Sequence, residues 1–214
     1  MDGVDSWHGA FRIELRAEAI SLAWRGWPVL PGTYPSGPQQ WVGREGTQAA
    51  GPSPAHADWA DRIGTPPAQV ANWWSGEPYS LLVATGLVLD AVEVDAQLGR
   101  RTAALLRSIG VVTPIVATPN GRWLFFTTVG HGPHADLVHR DEITLHGKGS
   151  WIPLPPTPYE HGIAHWRVKP EICSWQLPNG ELVQDAVTAA LGGRSKLALV
   201  GMAAQLLDSE RLSA

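Results

Sequence analysis

The stretch from Ser80 to Asp95 constrains the fold more than any other part of this chain. Leu81-Leu82-Val83 runs into Thr85-Gly86, and then Leu87-Val88-Leu89 and Ala91-Val92-Glu93-Val94-Asp95 follow. The apolar runs are short, rich in branched residues and bounded by turn formers, as in buried central strands. After Gly99, the segment Arg100 to Ile109 turns Ala103, Leu105, Leu106 and Ile109 to one side, which reads as an amphipathic helix. Pro114 to Ala117, the turn Thr118-Pro119-Asn120-Gly121 and the segment Arg122 to Thr128 read as a hairpin. Glu142 to His146 and Ser150 to Leu154 form strands around Gly147-Lys148-Gly149, and Tyr159 to Val168 supplies a further hairpin arm.

The flanks are helical. Phe11 to Trp24 places Phe11, Leu15, Ala19, Leu22 and Ala23 near a helical period, and Gly26 stops it. Residues 32–57 are rich in Gly, Pro, Ser and Gln and read as a long loop. Ala57 to Ile63 reads as a helical turn, and Pro67 to Trp74 as a short helix with proline at its start. Val183 to Leu191 and Ser195 to Leu212 read as two helices broken at Gly192-Gly193. This order predicts an α+β fold: a mainly antiparallel sheet flanked by helices over residues 1–175, with a C-terminal helical appendage over 176–214.

Composition narrows the function. With 44% hydrophobic residues the chain is a normal globular one rather than a disordered one. No run is apolar and long enough to span a bilayer, and the first residues lack a secretory pattern, so no membrane association is expected. The single cysteine, Cys173, excludes an internal disulfide framework and a cysteine-based zinc site and suits a reducing, cytoplasmic setting. The net charge of −4 argues against a generic polyanion binder, but it is unevenly spread. Residues 100–169 hold 8 Lys and Arg against 4 acids, and six of the eight histidines lie there. A basic segment that follows Asp90, Glu93 and Asp95 suits a metal-nucleotide or nucleic-acid site. The 11 tryptophans serve either as core and loop anchors or as base-stacking platforms. His131, His134 and His139 lie in a Gly/Pro-rich stretch and read as loop residues rather than metal ligands.

Glu93-Val94-Asp95 carries the chemistry. Strand alternation turns both carboxylates to one face, about 7 Å apart. Two such carboxylates resist burial unless a cation neutralises them, and hard oxygen ligands select Mg²⁺ or Mn²⁺.

The surroundings of this pair carry a resemblance. Trp73-Trp74, Thr85-Gly86 and Val92-Glu93-Val94-Asp95 with Gly99 beyond it resemble the first motif of the bifunctional DNA primase/polymerase N-terminal (prim-pol) domain, of the archaeo-eukaryotic primase superfamily. Arg25-Gly26-Trp27-Pro28-Val29-Leu30-Pro31 resembles its opening strand. Thr113 to Gly121 is similar to its second-motif hairpin, and Gly149-Ser150-Trp151-Ile152-Pro153-Leu154-Pro155-Pro156-Thr157 to its third-motif strand. The likeness spans about residues 15 to 168. It implies a prim-pol-like fold and metal-dependent nucleotidyl transfer in DNA replication, with nucleotide and DNA template as ligands and a helicase or other replication protein acting in trans. It also implies catalytic and metal-binding roles for Glu93 and Asp95. Two positions depart from the family pattern. Trp123 stands where the family has a phosphate-contacting His, and there it fills or closes the nucleotide pocket. Thr144 stands where the family has its third acid. Glu142 and His146 share the strand parity of Thr144, so Glu142 is the substitute metal ligand, and Arg122, His146 and Lys148 are the candidate nucleotide-binding residues. Three readings stay open: an active prim-pol nucleotidyltransferase, a prim-pol-like module that binds nucleotide, nucleic acid or protein without turnover, and an unrelated α+β interaction protein.

Overall fold

In the computed structural model, residues 3–44 and 50–192 are described. In chain order the elements are α1 (Gly3–Trp24), β1 (Val29–Gly32), β2 (Tyr34–Gly37), β3 (Gln40–Val42), α2 (Pro67–Trp73), β4 (Ser80–Ala84), β5 (Asp90–Asp95) and α3 (Ala96–Ser108). Then come β6 (Ile115–Ala117), β7 (Arg122–Thr127), β8 (Thr144–His146), β9 (Trp151–Pro153), β10 (Pro158–Tyr159), β11 (Gly162–Ile163), β12 (His165–Val168) and α4 (Gly180–Gly192). The expected α+β class holds, with antiparallel pairing in each sheet. The second expected C-terminal helix, Ser195 to Leu212, lies outside the described residues. The elements sort into two compact units. One comprises the chain up to Val88 with Gly147–His165, and the other comprises Leu89–His146 with the chain from Trp166 onward.

In the first unit, α1 buries Leu15, Ala19 and Leu22, which recur at the spacing that stacks side chains on one helical face. It ends in a Schellman motif: Gly26 takes a φ of +79° while its N–H bonds the Ala23 carbonyl, and the Trp27 N–H reaches the Leu22 carbonyl. Strand β4, buried at every residue, runs between β1 and β9, with Val83 opposite both Val29 and Ile152. Its apolar run without alternation follows from its central place. Helix α2 packs on α1 and β1. The Thr85-Gly86 turn locks onto the turn before β9. The Thr85 hydroxyl donates to the Gly147 carbonyl at 2.6 Å, and a Cβ on Gly86 would lie 2.2 Å from the Lys148 Cα. Only glycine fits there, and its φ of +90° asks for glycine independently.

Residues 32–57, expected as a loop, contain the β2–β3 hairpin, with Tyr34 opposite Val42. Its residues are half-buried or exposed, so no apolar alternation marks it in the sequence. Buried Thr33 anchors the segment by donating to the Gly51 carbonyl and accepting from the Ser53 N–H. Leu87 and Val88 are not strand residues. They form an exposed bend, because β4 and β5 belong to different sheets and the chain must leave one to enter the other.

The second unit is built on a five-stranded sheet of order β12-β6-β7-β5-β8. Val92, Val94, Ile115, Trp123 and Phe125 form one core with Leu98 and Leu106 of α3 and Val183, Ala186 and Val187 of α4. One face of the sheet is therefore covered by the two helices. Strand alternation sends Glu93, Asp95, Arg122, Leu124, Thr144 and His146 to the opposite face. The histidine loop after β7 is held rather than loose. His131 Nε2 lies 3.2 Å from the Thr128 hydroxyl and its ring covers Gly180, and His134 Nδ1 lies 3.4 Å from an Asp185 oxygen on α4.

Candidate functional site

The site is set by register. Asp95 lies opposite Arg122, while Glu93 lies opposite Leu124 on one side and Thr144 on the other. Arg122 and His146 are thus the diagonal neighbours of Glu93 on the two flanking strands, within reach of a long side chain. Both reach it. Arg122 Nε donates to Glu93 Oε1 at 2.6 Å, and His146 Nε2 lies 2.7 Å from Oε2. Burial opposes ionisation of Glu93, but hydrogen bonds from His146 and Arg122 outweigh it and hold the carboxyl below the ordinary glutamate range. At neutral pH Glu93 is a carboxylate that only accepts, so the His146 ring presents its Nε2 proton to it.

The turn before β7 aims Arg122. The Gly121 N–H bonds the Thr118 carbonyl at 3.0 Å, and the Thr118 hydroxyl accepts the Arg122 N–H at 3.2 Å. From there Arg122 bridges two elements, since its Nη2 donates to the Glu142 backbone carbonyl at 2.9 Å. The Glu142 carboxylate is engaged elsewhere, 3.3 Å from Arg140 Nη1. Asp95 has a structural task that Asp-Ala-Gln-Leu at a strand end signals and that a metal-centred reading passes over. Its Oδ1 accepts the N–H groups of Gln97 and Leu98 at 2.7 and 3.0 Å, so it caps α3. Asp95→Ala is expected to lower stability by about 1 kcal/mol, the usual worth of such a cap, measured by urea unfolding.

Of the six residues named from sequence, Glu93, Arg122 and His146 come together and Asp95 stands on the same face at the adjacent helix start. Glu142 contributes its carbonyl to Arg122. Lys148 lies in the first unit, its backbone against Gly86. Trp123 does not share the sheet face of Glu93 and Arg122. It points to the helical face, where a Cβ on Gly99 would lie 2.9 Å from its side chain, while Arg122 occupies the site face. The one-residue step between Arg122 and Trp123 decides this, because consecutive strand residues face opposite ways.

As placed, the oxygens of the acid-x-acid pair are engaged by other groups of the protein. Both Glu93 oxygens are bonded by side chains that carry or can carry positive charge, one Asp95 oxygen caps a helix, and Thr144 offers no carboxylate. Among the described residues no cluster of three or more His, Cys, Asp or Glu is arranged to hold an ion.

Comparison with known proteins then decides the family. The family model for the bifunctional DNA primase/polymerase N-terminal domain (Prim-Pol) matches residues 19–180. The chain belongs to the Prim-Pol family. None of the curated proteins compared with it matches. The matched span of this Prim-Pol chain covers all four elements that carry the acid-x-acid pair and its neighbours: β5, α3, β7 and β8. No described helix is long and apolar enough to cross a membrane.

Proposed function

We propose that this Prim-Pol domain binds the phosphates of a nucleotide or nucleic acid at Arg122 and His146, with Glu93 as their internal counter-ion, and that it does not turn over substrate. The observation that carries this is the double hold on Glu93: one carboxylate is bonded by both Arg122 and His146, where a phosphoryl-transfer centre needs its acids free for divalent ions. A bound phosphate competes with Glu93 for Arg122, whose planar fork suits either anion.

A second reading rests on family membership and on the shared face of Glu93 and Asp95. In it the domain is a nucleotidyltransferase using Mg²⁺ or Mn²⁺, with DNA template and a replication protein in trans. Glu93 and Asp95 then hold the metal, which supplies charge stabilisation for phosphoryl transfer, and Arg122 and His146 hold phosphate.

The two readings predict opposite signs for one variant. In the first, Glu93→Gln frees Arg122 and tightens dNTP binding severalfold, with no need for metal. In the second, Glu93→Gln weakens metal-dependent dNTP binding, and Glu93→Ala with Asp95→Ala removes it. Titration of dNTP with and without Mn²⁺, read by tryptophan fluorescence, separates them. Primer synthesis by the wild-type protein would sink the first reading.

A further inference from the structure

On the helical face of the five-stranded sheet, opposite Glu93, a cleft of about 220 Å³ opens between α3, the 111–115 segment and the β12 edge. Arg100 and Arg107 line it from α3, and Arg167 from β12, over a floor that includes Leu106, Ile115 and Trp123. Arg100 and Arg107 are seven residues apart, so they share one side of the helix two turns from each other. The Arg167 guanidinium lies over the Trp123 ring, 5.1 Å from its centroid. That stack fixes the group while leaving its in-plane N–H donors open. Trp123 is itself fixed, buried against Gly99.

The charge is unbalanced. Among the described residues, no Asp or Glu lines the cleft. None of the three arginines makes an ion pair with a described residue. Converging cations without a counter-ion raise the potential of a concave site and concentrate anions there. A cleft of this volume is below the usual range for a whole drug-sized ligand, which suits a phosphate with part of its sugar. We infer that the Arg100–Arg107–Arg167 cleft binds a phosphate group, carried by a nucleic-acid strand or by a free nucleotide. This centre is separate from the one at Arg122, because the two lie on opposite faces of the sheet.

The test is binding of a labelled oligothymidylate across a salt series, with unlabelled dTTP and pyrophosphate as competitors. The double variant Arg100→Ala with Arg167→Ala is expected to lose about tenfold in affinity at low salt, and its salt slope to fall by about 0.7, the value for one phosphate contact on a single strand. Arg167→Lys keeps the charge and gives up the planar stack, so it is expected to fall between wild type and the double variant. The same losses are expected in the Glu93→Gln background, since distant sites act additively. Competition by dTTP or pyrophosphate at concentrations similar to the oligonucleotide assigns the site to free nucleotide, and competition by oligonucleotide alone assigns it to a strand. The inference is overturned if the wild type binds none of the three probes, or if the double variant keeps wild-type affinity and salt slope. An unchanged urea midpoint in the variants shows that the losses are not unfolding.

Discussion

Trp123→Ala is expected to cost about 3–5 kcal/mol of stability, the range for emptying a buried aromatic site. The side chain is 8% exposed and sits in the core that joins β5, β6 and β7 to α3 and α4. It packs on Gly99 and lies near Phe125, with ring centroids 6.4 Å apart, and it carries the Arg167 stack. For a chain of this length each kcal/mol lowers Tm by roughly 2–4 °C, so a fall of about 10 °C is expected by calorimetry. Trp123→Phe retains most of the volume and should lose well under half of that. A Trp123→Ala protein that melts like wild type and instead changes nucleotide affinity at Arg122 would put the indole back at the nucleotide site and contradict the register of β7.

Glu93→Ala is expected to cost about 2–3 kcal/mol at neutral pH. Breaking a buried ion pair by removing one partner costs about 3–5 kcal/mol, and partial solvent access reduces it. Here the side chains of Glu93, Arg122 and His146 are 20%, 23% and 14% exposed. The variant also leaves the Arg122 and His146 groups near each other without their shared anion. The pH dependence has a definite sign. Folded Glu93 titrates below its unfolded value, so its contribution is complete above about pH 4.3 and is lost as pH falls through the lower folded pKa. The stability gap between wild type and Glu93→Gln should therefore be full at neutral pH and narrow as pH falls below about 4.3, followed by urea unfolding at each pH. A gap that does not narrow in acid would mean that the carboxylate's charge is not what holds Arg122 and His146.

The acid-x-acid pair, its strand, the amphipathic helix after it and the hairpin at Asn120-Gly121 all carry local signals, namely alternation, helical period and turn chemistry, and the structure has each of them. His146 was placed on the same face as Thr144 by parity alone, and that parity brings it to Glu93. The β2–β3 hairpin was not legible, because a hairpin with no fully buried residue has no apolar face to imprint on its sequence. Glu142, expected on the strand, lies in the turn before β8, where strand alternation does not orient it, and its carboxylate pairs with Arg140 two residues away.

Sequence alone determined the fold class and the residues that share a strand face, because these follow from periodicities of two and 3.6 residues that neighbours in the chain enforce, and it carried the motifs by which the chain resembles its family. Tertiary structure decided what neutralises Glu93, where Trp123 points and which arginines converge on one cleft. Those outcomes depend on the register between β5, β7 and β8 and on the packing of α3 over the sheet. Register and packing are set by strands and helices that are distant in the chain, and no local pattern records which side chain will stand diagonally across from which.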